Sequence, residues 1–141
     1  MRKQIGLLSI VGFFGLLAAA DAQTQSAVTA GAAFDGTYRF VSSAKVNQTY
    51  VTRGGKMGQC SDRTPGPLTI AQGQARYVTD TGRQLEGTVG PRGQFEMRLQ
   101  EPGTNPLEMH VNGKIDNTGM IHAHQRGGSC SYNFVWQKET T

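Results

Sequence analysis

The side chains best suited to bind a metal ion are the three histidines, which lie in one region near the C-terminus: His110, His122 and His124. Imidazole and carboxylate groups are common zinc ligands, and Glu108 lies beside this set in the sequence. If Ile115 and Ile121 pair across a hairpin, the imidazoles and Glu108 share its outer face. Lys114 and Arg126 then stand among the ligands, and two cations oppose the binding of a dication. We therefore expect a solvated polar face, with the histidines as weak metal candidates only.

A second group of side chains suits the binding of an anion. The segment 43–66 contains one carboxylate, Asp62, and four cations: Lys45, Arg53, Lys56 and Arg63. Segments this long with little secondary structure are uncommon unless they are functional or disordered. The functional hypothesis is an anionic envelope component or an acidic protein, and the alternative is a solvated loop. We expect no nucleic-acid partner, because the outer strand faces lack exposed aromatic side chains that could stack on bases.

A third group consists of aromatic side chains that carry a polar atom: Tyr38, Tyr77, Tyr132 and Trp136. An eight-stranded barrel is either filled by its own side chains or holds one small ligand. Buried tyrosine and tryptophan need hydrogen-bond partners, which a ligand, the backbone or water can supply. Aromatic rows in β-proteins are more often core than pocket, so we expect a filled interior, with a ligand pocket as the alternative.

Little in the sequence supports catalysis. No Gly-x-Ser-x-Gly elbow or phosphate-binding loop is present. The carboxylates Glu86, Glu96 and Glu108 fall on the outer faces of the expected strands, where nothing raises a pKa for acid–base chemistry. We therefore expect no enzymatic activity and no cofactor.

Strands must position these groups, because apolar and polar residues alternate through most of the chain and no convincing helical period is present. Turn signals recur about every 8–12 residues, which is typical of a compact sandwich or barrel. We predict an all-β fold: a single antiparallel meander of about 7–8 strands, curled or closed into a small barrel. Residues 50–52, within the stretch 46–52, have strand composition and are the candidate for an eighth strand.

Strand pairing follows from placing apolar residues on one face. Pairing Val89 with Phe95 also sets Glu86 opposite Arg98 on the wet face, where a weak ion pair can form. The expected interior is apolar and aromatic: Tyr38, Phe40, Leu68, Ile70, Tyr77, Leu85, Val89, Phe95, Met97, Leu99, Leu107, Met109, Val111, Ile121, Tyr132, Phe134 and Trp136.

The first residues are typical of a secretory signal peptide. A short basic start precedes an apolar run over residues 5–20, and Ala20-Asp21-Ala22 offers a cleavage site, with cleavage after Ala20 as the alternative. The run is short for a membrane span, so none is expected after cleavage. We predict a signal peptide over 1–22, a flexible mature N-terminus over 23–33 and one β domain over 34–139. In an oxidising compartment the two cysteines, Cys60 and Cys130, are expected to form one disulfide.

Five short motifs carry a resemblance: Phe34-Asp35-Gly36-Thr37-Tyr38, Cys60, Gly66-Pro67-Leu68-Thr69-Ile70, Glu86-Gly87-Thr88-Val89 and Cys130-Ser131-Tyr132-Asn133-Phe134. Together the chain resembles a group of small exported bacterial antiparallel β-sheet proteins of unassigned function. The resemblance implies a disulfide-linked meander in the periplasm or outside the cell, and it implies no catalytic residues. We expect a non-enzymatic binding module for an anionic or small ligand. The alternative is an envelope interaction or enzyme-inhibitor protein that acts through the basic 43–66 segment.

Overall fold

The computed structural model describes residues 32–100 and 109–140. These residues form a 3-10 helix, Ala32–Phe34, and ten strands: β1 (Gly36–Lys45), β2 (Thr49–Val51), β3 (Met57–Gln59), β4 (Leu68–Ala71), β5 (Gln74–Val78), β6 (Gln84–Val89), β7 (Gln94–Leu99), β8 (His110–Ile115), β9 (Met120–Arg126) and β10 (Tyr132–Lys138). The predicted signal peptide, most of the predicted flexible stretch 23–33, Leu107 and Glu108 lie outside the described residues.

Eight strands form a closed antiparallel barrel in the order β1-β10-β9-β8-β7-β6-β5-β4. The barrel closes because β1 pairs on one side with β10 and on the other with β4, where Thr37 is opposite Thr69. The prediction of an all-β meander closed into a small barrel is confirmed. The strand proposed within 46–52 exists as β2, but it pairs only with β3 in a separate two-stranded sheet. It is not part of the barrel.

Strand registers agree with the apolar pattern. Val89 is opposite Phe95 and Glu86 is opposite Arg98, as predicted. The prediction of an ion pair between Glu86 and Arg98 is wrong. The carboxylate of Glu86 instead lies 2.6 Å from Nε of Arg76, its direct partner in β5. Arg98 pairs with Glu96, two residues away on the same face of β7. Strand β6 has two neighbours, β5 and β7. Its register with β7 does not decide which of them supplies the ion-pair partner of Glu86.

The interior of the barrel is one continuous apolar core. It consists of Tyr38, Leu68, Ile70, Ala75, Tyr77, Leu85, Val89, Phe95, Met97, Leu99, Val111, Ile115, Ile121, Ala123, Tyr132, Phe134 and Trp136. Two residues predicted to be interior, Phe40 and Met109, are only partly buried and pack against the edge of this core. Gly113 leaves a gap in the inward row of β8. The ring of Phe95 fills this gap, since a Cβ at Gly113 would lie 2.8 Å from it.

Candidate functional site

The interior of the barrel contains the four polar aromatic residues, all buried. Each polar atom donates to a group of the same chain: Tyr38 to the Phe34 carbonyl (2.6 Å), Tyr132 to the Ser61 carbonyl (2.8 Å), Trp136 to the Gly66 carbonyl (3.0 Å) and Tyr77 to the Gln125 side-chain oxygen. No donor of this set is left for a ligand to satisfy.

The space beside Tyr77 and Phe134 is also too small for a ligand. Its volume is about 10 Å³, which holds at most one water. Burial raises the pKa of the Tyr77 hydroxyl. Burial and the nearby carboxylate of Asp35 also raise the pKa of Tyr38. The interior is therefore a filled core, and the small-ligand hypothesis loses its main support.

The histidines lie on the outer face of β8 and β9, in the predicted register. His110 is opposite Arg126, and Lys114 is opposite His122. His122 lies 3.9 Å from the Asp116 carboxylate, while Nδ1 of His124 lies 2.8 Å from the side-chain oxygen of Asn133 in β10. Among the described residues, no group of three or more His, Cys, Asp or Glu side chains is placed to hold a metal ion.

The long segment between β1 and β4 contains a folded hairpin, which we define as residues 48–60. Its strands β2 and β3 pair with Val51 opposite Met57. The amide of Cys60 donates to the carbonyl of Gln48 at the base, at 2.8 Å. At the tip, the amide of Thr52 donates to the carbonyl of Lys56, also at 2.8 Å. The predicted loop is therefore an ordered hairpin.

A disulfide and a set of hydrogen bonds hold the base of the hairpin to the β9–β10 connection. Cys60 and Cys130 form the predicted disulfide, with a Cα–Cα distance of 5.7 Å. The side chain of Asn47 donates to the carbonyl of Ser129 and accepts from the amide of Ser131, each at 2.8 Å. The hairpin is fixed to the barrel at two adjacent points.

The two faces of the hairpin differ. On one face the half-buried ring of Tyr50 lies across Gly58, where a Cβ would be 2.4 Å from the ring. Tyr50, Tyr132 and Cys130 line a cleft of about 270 Å³, so this face looks toward the barrel. The opposite face carries Val51 and Met57, which are 65% and 71% exposed. We call it the outer face of the hairpin.

The four cations of the basic segment have different environments. Lys45 belongs to β1, not to a loop, and its Nζ lies 2.8 Å from the Asp62 carboxylate. Arg63 lies 3.1 Å from the Asp80 carboxylate. Arg53 and Lys56 are exposed at the hairpin tip, and neither forms an ion pair with any described residue. The structure separates two paired cations near the base from two cations at the tip that pair with no carboxylate of the described residues.

A groove at the other end of the barrel was not expected from the sequence. It has a volume of about 630 Å³ and is lined by Phe34, Arg92, Lys114, Ile115, Asp116, Asn117 and His122. Its charges are mixed. Hydrogen bonds from Thr118 and the Met120 amide, together with His122, lower the pKa of the Asp116 carboxyl, which therefore stays anionic among the cations. The net attraction for an anion is reduced accordingly.

Several residues that hold parts of the fold together were not identified from the sequence. Asn47 ties the hairpin to the barrel, and Gln125 is the buried partner of Tyr77. Neither has a recognisable sequence signal, because a single polar residue carries no periodicity. Val51 and Met57 lie in short strands where inward and outward positions cannot be distinguished by pattern.

Comparison with known proteins yields no match to a family model, a curated protein or a solved structure. Within the part of the chain that the structure describes, no helix is long and apolar enough to cross a bilayer. The function must therefore be inferred from the geometry of the barrel and its hairpin.

Proposed function

We propose that the protein is an exported, non-enzymatic binding module that recognises an anionic partner through its hairpin, in the periplasm or outside the cell. The observation that carries the proposal is the tip of the hairpin. Arg53 and Lys56 are exposed there, without a carboxylate partner among the described residues, on a rigid element next to the exposed side chains of Val51 and Met57. Unpaired cations on a fixed scaffold attract anions with little ordering cost.

Export is supported by the Cys60–Cys130 disulfide, because disulfides persist in oxidising compartments. The signal-peptide pattern of residues 1–22 agrees with this. A non-enzymatic role is supported by the carboxylates of the barrel wall. Glu86 and Glu96 are each paired with an arginine on the outer surface, an environment that suits a charged side chain better than a proton donor.

The second candidate function is an envelope interaction or enzyme-inhibitor protein that uses the same hairpin. The fixed base favours this alternative, since a rigid projecting element loses little conformational entropy when it enters a protein cleft. Both candidates use the same cations and differ in the partner.

The test measures retention on immobilised heparin, a soluble polyanion, as a function of salt. The variant Arg53→Glu/Lys56→Glu should elute at clearly lower salt than the wild type, because it reverses both tip charges. Arg39→Glu/Arg92→Glu is the matched control, since it changes net charge equally at exposed positions away from the hairpin. Equal loss in both variants would mean that net charge, not the hairpin, governs retention, and would contradict the proposal.

A further inference from the structure

Three of the five large hydrophobic side chains that are exposed among the described residues lie in or beside the hairpin. Among the described residues, the exposed large hydrophobic side chains are Val41, Val46, Val51, Met57 and Val78. Val46 lies at the root of the hairpin, and Val51 and Met57 lie directly opposite each other on its outer face. Scattered single apolar residues are normal on a protein surface. A cross-strand apolar pair next to two cations without a carboxylate partner in the described part of the chain is a specific combination.

This combination constrains the partner. A soluble polyanion would contact Arg53 and Lys56 but leave the Val51–Met57 pair in water. A stable protein interface buries about 800 Å² on each partner and uses roughly 20–30 residues, more than the outer face of one short hairpin offers. At the surface of a bilayer, by contrast, lipid phosphates and apolar chains lie within a few ångströms of each other, and a small projecting element reaches both.

We propose that the outer face of the hairpin binds reversibly to the surface of an anionic phospholipid bilayer. Val51 and Met57 enter the boundary between headgroups and acyl chains, and Arg53 and Lys56 contact lipid phosphates. This inference rests on the proposed function and names its partner. The contact is peripheral and weak, because two apolar side chains and two cations give far less affinity than a membrane-spanning segment.

The rigidity of the hairpin fits this role. The tip is closed by hydrogen bonds between Thr52 and both Gly55 and Lys56, so the cations project from a defined turn. The disulfide at Cys60 and the Asn47 side chain fix the base. The apolar pair and the adjacent tip are therefore held in fixed positions, and no folding step is needed on contact.

The test is co-sedimentation of the folded protein with two kinds of vesicle: phosphatidylcholine alone, and phosphatidylcholine mixed with phosphatidylglycerol. Wild type should bind the mixed vesicles at low salt and bind the neutral vesicles much more weakly. Arg53→Gln/Lys56→Gln should reduce binding to the mixed vesicles by about 30-fold, given the usual contribution of two cations near an anionic surface. Val51→Ser/Met57→Ser should reduce it by about tenfold or more, because the apolar contact is lost.

Two matched variants control for nonspecific effects. Arg39→Gln/Arg92→Gln removes two exposed cations elsewhere, and Val78→Ser removes an exposed apolar side chain of the barrel strand β5, outside the hairpin. Both should bind as the wild type does. If Val51→Ser/Met57→Ser binds the mixed vesicles as strongly as the wild type does, the bilayer proposal is overturned, since electrostatic attraction alone would explain the binding.

The two proposals fail separately. Heparin retention that depends on the tip, without binding to the mixed vesicles, would leave the proposed function standing and overturn the bilayer as partner. A saturable protein partner that binds the hairpin, while the mixed vesicles do not, would also overturn it. Loss of both tip-dependent retention and vesicle binding would overturn both proposals.

Discussion

The barrel interior and the outer face of the hairpin differ in whether their side chains are buried and partnered within the chain. In the interior, the polar atoms of Tyr77 and Trp136 bond to groups of the chain itself, and the space around them is filled. On the hairpin, Val51 and Met57 contact water, and Arg53 and Lys56 have no carboxylate partner among the described residues. This difference is the reason for proposing the hairpin, and not the barrel interior, as the binding element.

The largest expected effect tests whether the interior is filled. Trp136→Ala should lower the free energy of unfolding by about 3–5 kcal/mol, because it removes a fully buried indole and its hydrogen bond to the Gly66 carbonyl. Chemical denaturation followed by circular dichroism measures this change. A near-neutral result would mean that the site collapses without cost or is a lined pocket, and the contrast with the hairpin would disappear.

The second expected effect concerns the connection between the two regions. Cys60→Ser/Cys130→Ser should lower the free energy of unfolding by about 2–4 kcal/mol, because the bridge closes a long loop in the unfolded chain. The two cysteines are 70 residues apart in the sequence. Barrel amides that exchange through global unfolding should accelerate in line with this loss of stability, and the hairpin amides should accelerate more than that. If the hairpin and barrel amides accelerate equally, the disulfide does not hold the hairpin in particular.

The third effect uses pH to distinguish the two regions. Burial raises the pKa of Tyr77 and of Tyr38 above the usual value near 10, so the folded state holds these protons where the unfolded chain releases them. Stability is therefore unaffected below pH 10 and falls as the pH rises above it. The slope is at most about 1.4 kcal/mol per pH unit for each tyrosine.

The measurement is denaturant unfolding at several pH values above neutrality, with Tyr77→Phe as the comparison. This variant removes one of the two groups and should show a shallower decline. It should also be less stable than the wild type at neutral pH, because the side-chain oxygen of Gln125 loses its donor. An identical alkaline decline in both proteins would show that Tyr77 is not the protected group.

The barrel was predictable because its strands alternate. Rows such as Tyr132, Phe134 and Trp136 leave one register with a continuous apolar face, and the structure has it. The length of β1 was harder to predict from the sequence. A register shift between Phe40 and Ser42 changes the side-chain alternation, and it brings Lys45 into a strand beside Asp62. No glycine or proline marks this bulge in the sequence.

The candidate site was predictable only in part. An excess of cations in 43–66 is visible in the sequence, but their partners are not. Arg63 pairs with Asp80, which lies 17 residues away and meets it only in the folded barrel. Strands β2 and β3 have three residues each, too few for a periodic signal. The local sequence pattern therefore located the basic segment, whereas tertiary contacts decide which of its cations pair with carboxylates of the described residues.

The smallest expected effect completes the comparison. Val51→Ser/Met57→Ser should change the free energy of unfolding by no more than about 0.5 kcal/mol per site, because exposed side chains away from special features contribute little. The same variant is expected to lose vesicle binding, so stability and binding separate at this face. Denaturant unfolding alongside Trp136→Ala measures the contrast directly. A large loss of stability would show that the two side chains serve the fold, and their exposure would then need another explanation than a partner.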